Sequence, residues 1–177
     1  MAMDLITTNT SSNAASSDFT SSIDSTYKLY IFKFYDVNPA TDGTHFQFQA
    51  NASGQTGYNE TMTTTLFSAY QDESGTDPSL WYNTDDDQAQ GTAYQIICRQ
   101  IGNGSDESGA GELFLFNPAS TTYVKHFYSR ANNTRSDDYC WGDFCAGYIN
   151  TTSAIDDIQF KMASGNMDGT IKMYGVG

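Results

Sequence analysis

The stretch that most constrains the fold is 154–177, AIDDIQFKMASGNMDGTIKMYGVG. Ile158, Phe160 and Met162 alternate with Asp157, Gln159 and Lys161, and Ile171 and Met173 alternate with Thr170, Lys172 and Tyr174. A period of two is the repeat of an extended strand, whose successive side chains point to opposite faces. Between the two runs lies Ser164-Gly165-Asn166-Met167-Asp168-Gly169, rich in residues that enter left-handed backbone space at low cost. The pattern predicts a β-hairpin whose apolar face closes a core.

Two other segments are apolar on both faces. In 27–35, YKLYIFKFY, the side chains of Tyr30, Phe32 and Phe34 share one face and Leu29, Ile31 and Lys33 the other; 112–116, ELFLF, behaves alike. Strands of this kind read as central and covered on both sides. Ile158, Phe160, Met162, Ile171 and Met173 are the expected source of that cover. Phe46 and Phe48 point inward from 44–50, and 92–101 carries Tyr94, Ile96 and Cys98 on one side. The spacing of such runs predicts about nine or ten strands, with no segment of helical period. The expected fold is all-β: an antiparallel, jelly-roll-like β-sandwich forming a single domain over 18–177.

Residues 1–17 are a low-complexity Ser/Thr/Asn/Ala segment in which Leu5 and Ile6 are the one adjacent pair of large apolar side chains. Alone it cannot bury enough surface to be ordered. It reads as a flexible or assembly-docking N-terminal arm anchored by Leu5 and Ile6.

Charge narrows the function. The chain has 8 Lys and Arg against 21 Asp and Glu, a net charge of −13, which disfavours nucleic-acid backbones and anionic lipid alike. No apolar run approaches the ~18 residues of a membrane span. The N-terminal residues lack the basic and apolar regions of a secretory signal, so synthesis in a cytosol is expected. Cys98, Cys140 and Cys145 are then expected as free thiols, although a tight turn at Trp141-Gly142-Asp143-Phe144 would let Cys140 and Cys145 pair.

Catalytic patterns are sparse. His45 and His126 are the sole histidines, and no HExxH, GxSxG or CxxC spacing occurs. Asp85-Asp86-Asp87 lacks the alternating spacing of a calcium loop and reads as a solvated tip. A glycosidase would need two facing carboxylates; Glu112 begins a core strand with no evident partner, and Glu112 and Asp143 are the carboxylates to test first. The expectation is a chain that is not an enzyme and holds neither cofactor nor metal. Trp81, Tyr82, Tyr139 and Trp141, placed in polar loops, are candidate binding residues; the alternative is that they plug the ends of the sandwich.

The segments FTSSIDSTYKLYIFKFYDVNPATDG, GELFLFNPASTTYVKHFYS and GYINTTSAIDDIQFKMASGNMDGTIKMYG resemble stretches that recur in virion structural proteins of tailed bacteriophages. The resemblance covers most of 18–175, and SGN-x-D-G-T-I-K-x-Y-G is its most specific part. It implies a virion component assembled in the host cytoplasm, placed in a tail or fibre, with capsid decoration or head fibre as the alternative. Its implied partners are other virion proteins, further copies of itself (a trimer favoured) and host-surface glycan. No catalytic residue carries over, and CWGDFC departs from the pattern. The alternative of another class is a carbohydrate-binding module or glycan hydrolase.

Overall fold

The structure, a computed structural model, describes residues 2–177. Thirteen strands run in the order β1 (Met3–Ala14), β2 (Ser17–Phe19), β3 (Leu29–Pro39), β4 (Thr44–Ala52), β5 (Met62–Asp72), β6 (Ser79–Tyr82), β7 (Ala89–Gly91), β8 (Gln95–Ile101), β9 (Gly109–Phe116), β10 (Lys125–Thr134), β11 (Tyr139–Ile149), β12 (Ile155–Met162) and β13 (Met167–Val176). They form an all-β sandwich of two antiparallel sheets, with no helix among the described residues. The large sheet has the order β1-β13-β3-β9-β10-β11-β5-β6, with β7 also on β5, and the small sheet the order β2-β12-β4-β8.

The strand count exceeds the nine or ten expected because the expected arm forms β1, and because β6 and β7 are only three or four residues long. Such pieces are too short to show a period. β10 and β11 also take in most of 131–139, which reads as a loop from its polar side chains.

The predicted terminal hairpin is not one. β12 belongs to the small sheet, paired with β4 and β2, and β13 to the large sheet, paired with β3 and β1. Residues 163–166 carry the chain from one layer to the other, held by Ala40 N–H donating to Asn166 O at 2.9 Å and Ala163 N–H to His45 O at 2.8 Å. Gly165 turns this corner at φ 74°. Alternation sets which face a strand buries, but not which neighbour it pairs with. Both runs do bury the expected side chains, since Ile158, Phe160, Met162, Ile171 and Met173 are all at most 1% exposed.

Phe160 is the hub of the core. Its ring centroid lies 5.2–6.2 Å from those of Phe19, Phe32, Phe34, Phe46 and Phe48, which joins β2, β4 and β12 of the small sheet to β3 of the large one. Tyr30, Leu113, Leu115, Met62 and Leu66 extend the apolar layer across the large sheet. A register shift in β8 sets Phe46 against Cys98 and Gln47 against Ile96. Cys98 therefore faces inward, away from Ile96, and not on the side expected for it.

Residues 3–14 of the expected arm are the edge strand β1, paired with β13 from Met3 to Ala14; Met1 lies outside the described residues. A ladder satisfies backbone groups whatever the side chains, so a Ser/Thr/Asn run can be ordered without burying apolar surface of its own. Asn9 Nδ2 donates to Asp18 O at 2.8 Å and Asn13 N–H to Asp168 Oδ1 at 2.8 Å. Strand alternation splits the apolar pair, with Ile6 unpaired at a register shift between Leu5 and Thr7. Ile6 packs on the core, while Leu5 points out and is 55% exposed.

All three cysteines are free. Cys140 and Cys145 lie on one straight strand with Cys140 exposed and Cys145 buried, on opposite faces as an odd separation requires.

Candidate binding surface

Four strands cannot cover the inner face of nine, so β5, β6 and the end of β11 overhang the small sheet. Under that overhang the structure gathers Trp81, Trp141 and Tyr139. Cross-strand register sets Tyr70 beside Trp141, and Ser68 beside both Asp143 and Trp81, so these side chains share the inner face. Tyr70 and Trp141 stack at 4.3 Å, and Tyr139 meets Tyr70 edge-on at 5.9 Å.

Arg99 reaches this cluster from β8. Its guanidinium carbon lies 4.9 Å from the Trp81 ring centroid and 5.6 Å from that of Trp141. Arg99 Nη1 donates to Asn83 Oδ1 at 2.6 Å, and Nε lies 2.7 Å from the Asp86 carboxylate. Asp143 accepts from Ser68 Oγ at 2.5 Å, Arg99 N–H at 2.7 Å and Trp141 Nε1 at 3.1 Å. Burial pushes the Asp143 carboxyl above its ordinary range, against the pull of these donors and of the Arg99 charge. A buried polar network of this kind is fixed in place by its own bonds.

Trp141 is 5% exposed and Tyr139 donates its hydroxyl to Asp77 at 3.0 Å, which raises its phenol pKa. Trp81 is open to solvent but carries Arg99 over its ring. Tyr82 stands apart from them on the opposite face, paired with Phe67, and donates to Asp87 at 2.7 Å. Of the acid loop, Asp86 is the member drawn inward, to Arg99.

Glu112 and Asp143 lie on opposite faces of the large sheet. Glu112 points out, 3.1 Å from Lys33 Nζ and 3.5 Å from Arg130 Nη2, whereas Asp143 is fully buried on the inner side. They cannot flank one glycosidic bond. His45 sits in the small sheet and accepts from Gln100 N–H at 3.0 Å; His126 is on β10 beside Tyr148. Among the described residues no group of three or more His, Cys, Asp or Glu side chains is placed to hold a metal ion.

The outer face of the large sheet carries the exposed apolar surface. Following register from strand to strand, one row runs Lys172, Lys33, Glu112, Arg130, Phe144, Phe67, Tyr82. The next runs Leu5, Tyr174, Ile31, Phe114, Tyr128, Ala146, Thr65, and a third runs Met3, Val176, Leu29, Phe116. Among the described residues, eight of the ten large apolar side chains that are exposed lie on this face: Met3, Leu5, Tyr35, Phe67, Leu80, Tyr82, Phe116 and Tyr128. Open grooves of about 440 Å³, beside Glu112, Arg130 and Phe144, and about 420 Å³, beside Phe116, Tyr128 and Tyr148, score the surface.

Sequence reading found Leu5 and Tyr82 of this surface and missed the rest. The signal was present in the two-sided apolar character of β3 and β9, read as cover supplied from within the chain.

No family model matches the chain, and no curated protein matches it. Among solved structures it is similar to a protein of unknown function from Bacteroides ovatus, at 6% identity and a TM-score of 0.22, over 78% of this chain and 46% of that one. The chain thus spans about half the length of that protein. Among the described residues no helix is long and apolar enough to cross a membrane.

Proposed function

We propose that this chain is a non-enzymatic structural component of a bacteriophage virion, a tail- or fibre-associated module that docks on neighbouring subunits. The observation that carries the reading is the gathering of exposed aromatic and aliphatic side chains on one face of the large sheet. Soluble proteins scatter such residues; a contiguous patch of them marks a surface made to be covered. A sandwich offers a stiff, flat platform for such a contact, since its outer side chains stand on backbone that is locked by two ladders. The resemblance of three segments to virion structural proteins supplies the setting, and the acidic charge fits a partner other than nucleic acid.

Ring geometry weighs against a sugar-binding platform. Phe114 stacks on Tyr128 at 4.5 Å and 16°, and Phe67 on Phe144 at 5.0 Å and 7°. Those separations equal the ~4.8 Å between strands, so the rings stand upright and side by side on the sheet. They offer solvent their edges, whereas a sugar ring packs on an open aromatic face.

Imaging purified particles that carry a labelled copy of the chain tests the reading. Label on the tail or its fibres is expected. Label on the head would move the chain to capsid decoration, and particles without label would overturn the virion assignment.

A further inference from the structure

We propose that the outer face of the large sheet binds a second copy of this chain, meeting an acidic surface of that copy rather than its own image. The proposal rests on the reading of this face as a docking surface and names its occupant.

Size is the first argument. From β1 to β6 the face spans seven strand spacings on average ~4.8 Å apart, and three rows with their margins span ~20 Å, an area of ~700 Å². A stable protein interface buries ~800 Å² per partner, so the face is sized for a folded protein.

Charge is the second. The chain carries a net charge of −13, yet the charged row across this face holds Lys172, Lys33 and Arg130 with one carboxylate, Glu112. Glu112 pairs with Lys33 and Arg130. Lys172 lies directly opposite Lys33, an arrangement that is unfavourable in isolation, and among the described residues Lys172 makes no ion pair. Its ammonium rests 5.3 Å from the Tyr35 ring centroid. Such a row repels its own image and attracts an acidic protein surface, and every further copy of this chain supplies one. Contact between unlike faces is head-to-tail, which closes into a ring or propagates.

The third argument is the uncovered side of β3 and β9. Ile31 is only 7% exposed because Tyr174, Phe114 and Leu29 surround it, whereas Leu5, Phe116 and Tyr128 at the margins are open. A second chain would continue outward the packing that Ile31 already has.

Sedimentation across the micromolar range tests the proposal. The average mass of the intact chain is expected to rise with concentration. Tyr128→Glu and Lys172→Glu should each abolish the rise, and Tyr123→Glu, exposed in the β9–β10 loop, should leave it unchanged. These side chains are outside the core, and urea unfolding checks that each variant is folded. Tyr128→Glu keeps the carboxylates of the intact chain outside this face, so it should still be captured by tagged intact chain. A strict monomer, or association indifferent to Tyr128→Glu, would overturn the proposal. Failure of the capture step would make the interface self-complementary and overturn its head-to-tail form. A chain found in the particle but monomeric in solution leaves the virion reading standing and removes this one; a self-associating chain absent from particles does the reverse.

Discussion

Phe160 shows what a single residue contributes here. Five aromatic rings lie within 6.2 Å of it, drawn from both sheets, and none can slide into its place without leaving another gap. Phe160→Ala is therefore expected to cost ~3–5 kcal/mol in urea unfolding, and a loss within ~0.5 kcal/mol would show that the core is not centred there. His45 makes stability depend on pH. Burial lowers its pKa below 6.5, with the Asp86 charge acting against this and Arg99 with it. Above 6.5 the ring is neutral folded or unfolded, and stability is complete. As pH falls below 6.5 the unfolded chain takes up the proton first, so stability is lost until the folded ring also protonates. His45→Asn should remove that part of the acid loss, measured as urea midpoints on either side of pH 6.5; an unchanged profile would show that the ring does not control it. At this scale the sequence was legible where alternation was clean, as at Phe160 and Ile171. It was not legible at Trp81 and Trp141, whose surroundings are made by Arg99 and Asp143 arriving from other strands.

At the scale of elements, strands spoke more clearly than their partners. The faces of β12 and β13 could be read from their own residues, but their separation into two sheets could not, because alternation is the same in a hairpin and across a sandwich. The edge strand β1 was hidden for a different reason. Its order comes from backbone pairing with β13, and polar side chains carry no trace of that. The close approach of β9 to β10 is likewise invisible locally. A Cβ on Gly111 would lie 2.5 Å from Arg130 O and 2.6 Å from Ala131 Cα, backbone that cannot swing aside. Gly111→Ala should therefore destabilise the fold by about 1–3 kcal/mol or more, read from thermal or urea unfolding. A neutral result would mean that the two central strands are spaced more widely than the structure has them.

The whole molecule is a sandwich with unequal layers, and its two large-sheet faces have different surroundings. The inner face meets the small sheet and, at the overhang, a polar network around Arg99 and Asp143. Among the described residues no further layer packs on the outer face, although β3 and β9 are built as strands with two apolar sides. The proposed role of this outer face is to be covered by a second chain. Hydroxyl-radical footprinting of the intact chain, dilute and then concentrated, tests it most directly. Concentration is expected to protect Leu5, Phe116, Tyr128, Phe67 and Tyr82, while Trp81 and Tyr123 react as before. Equal modification of Tyr128 and Phe116 in the two states, or protection confined to Trp81 and Tyr123, would contradict it.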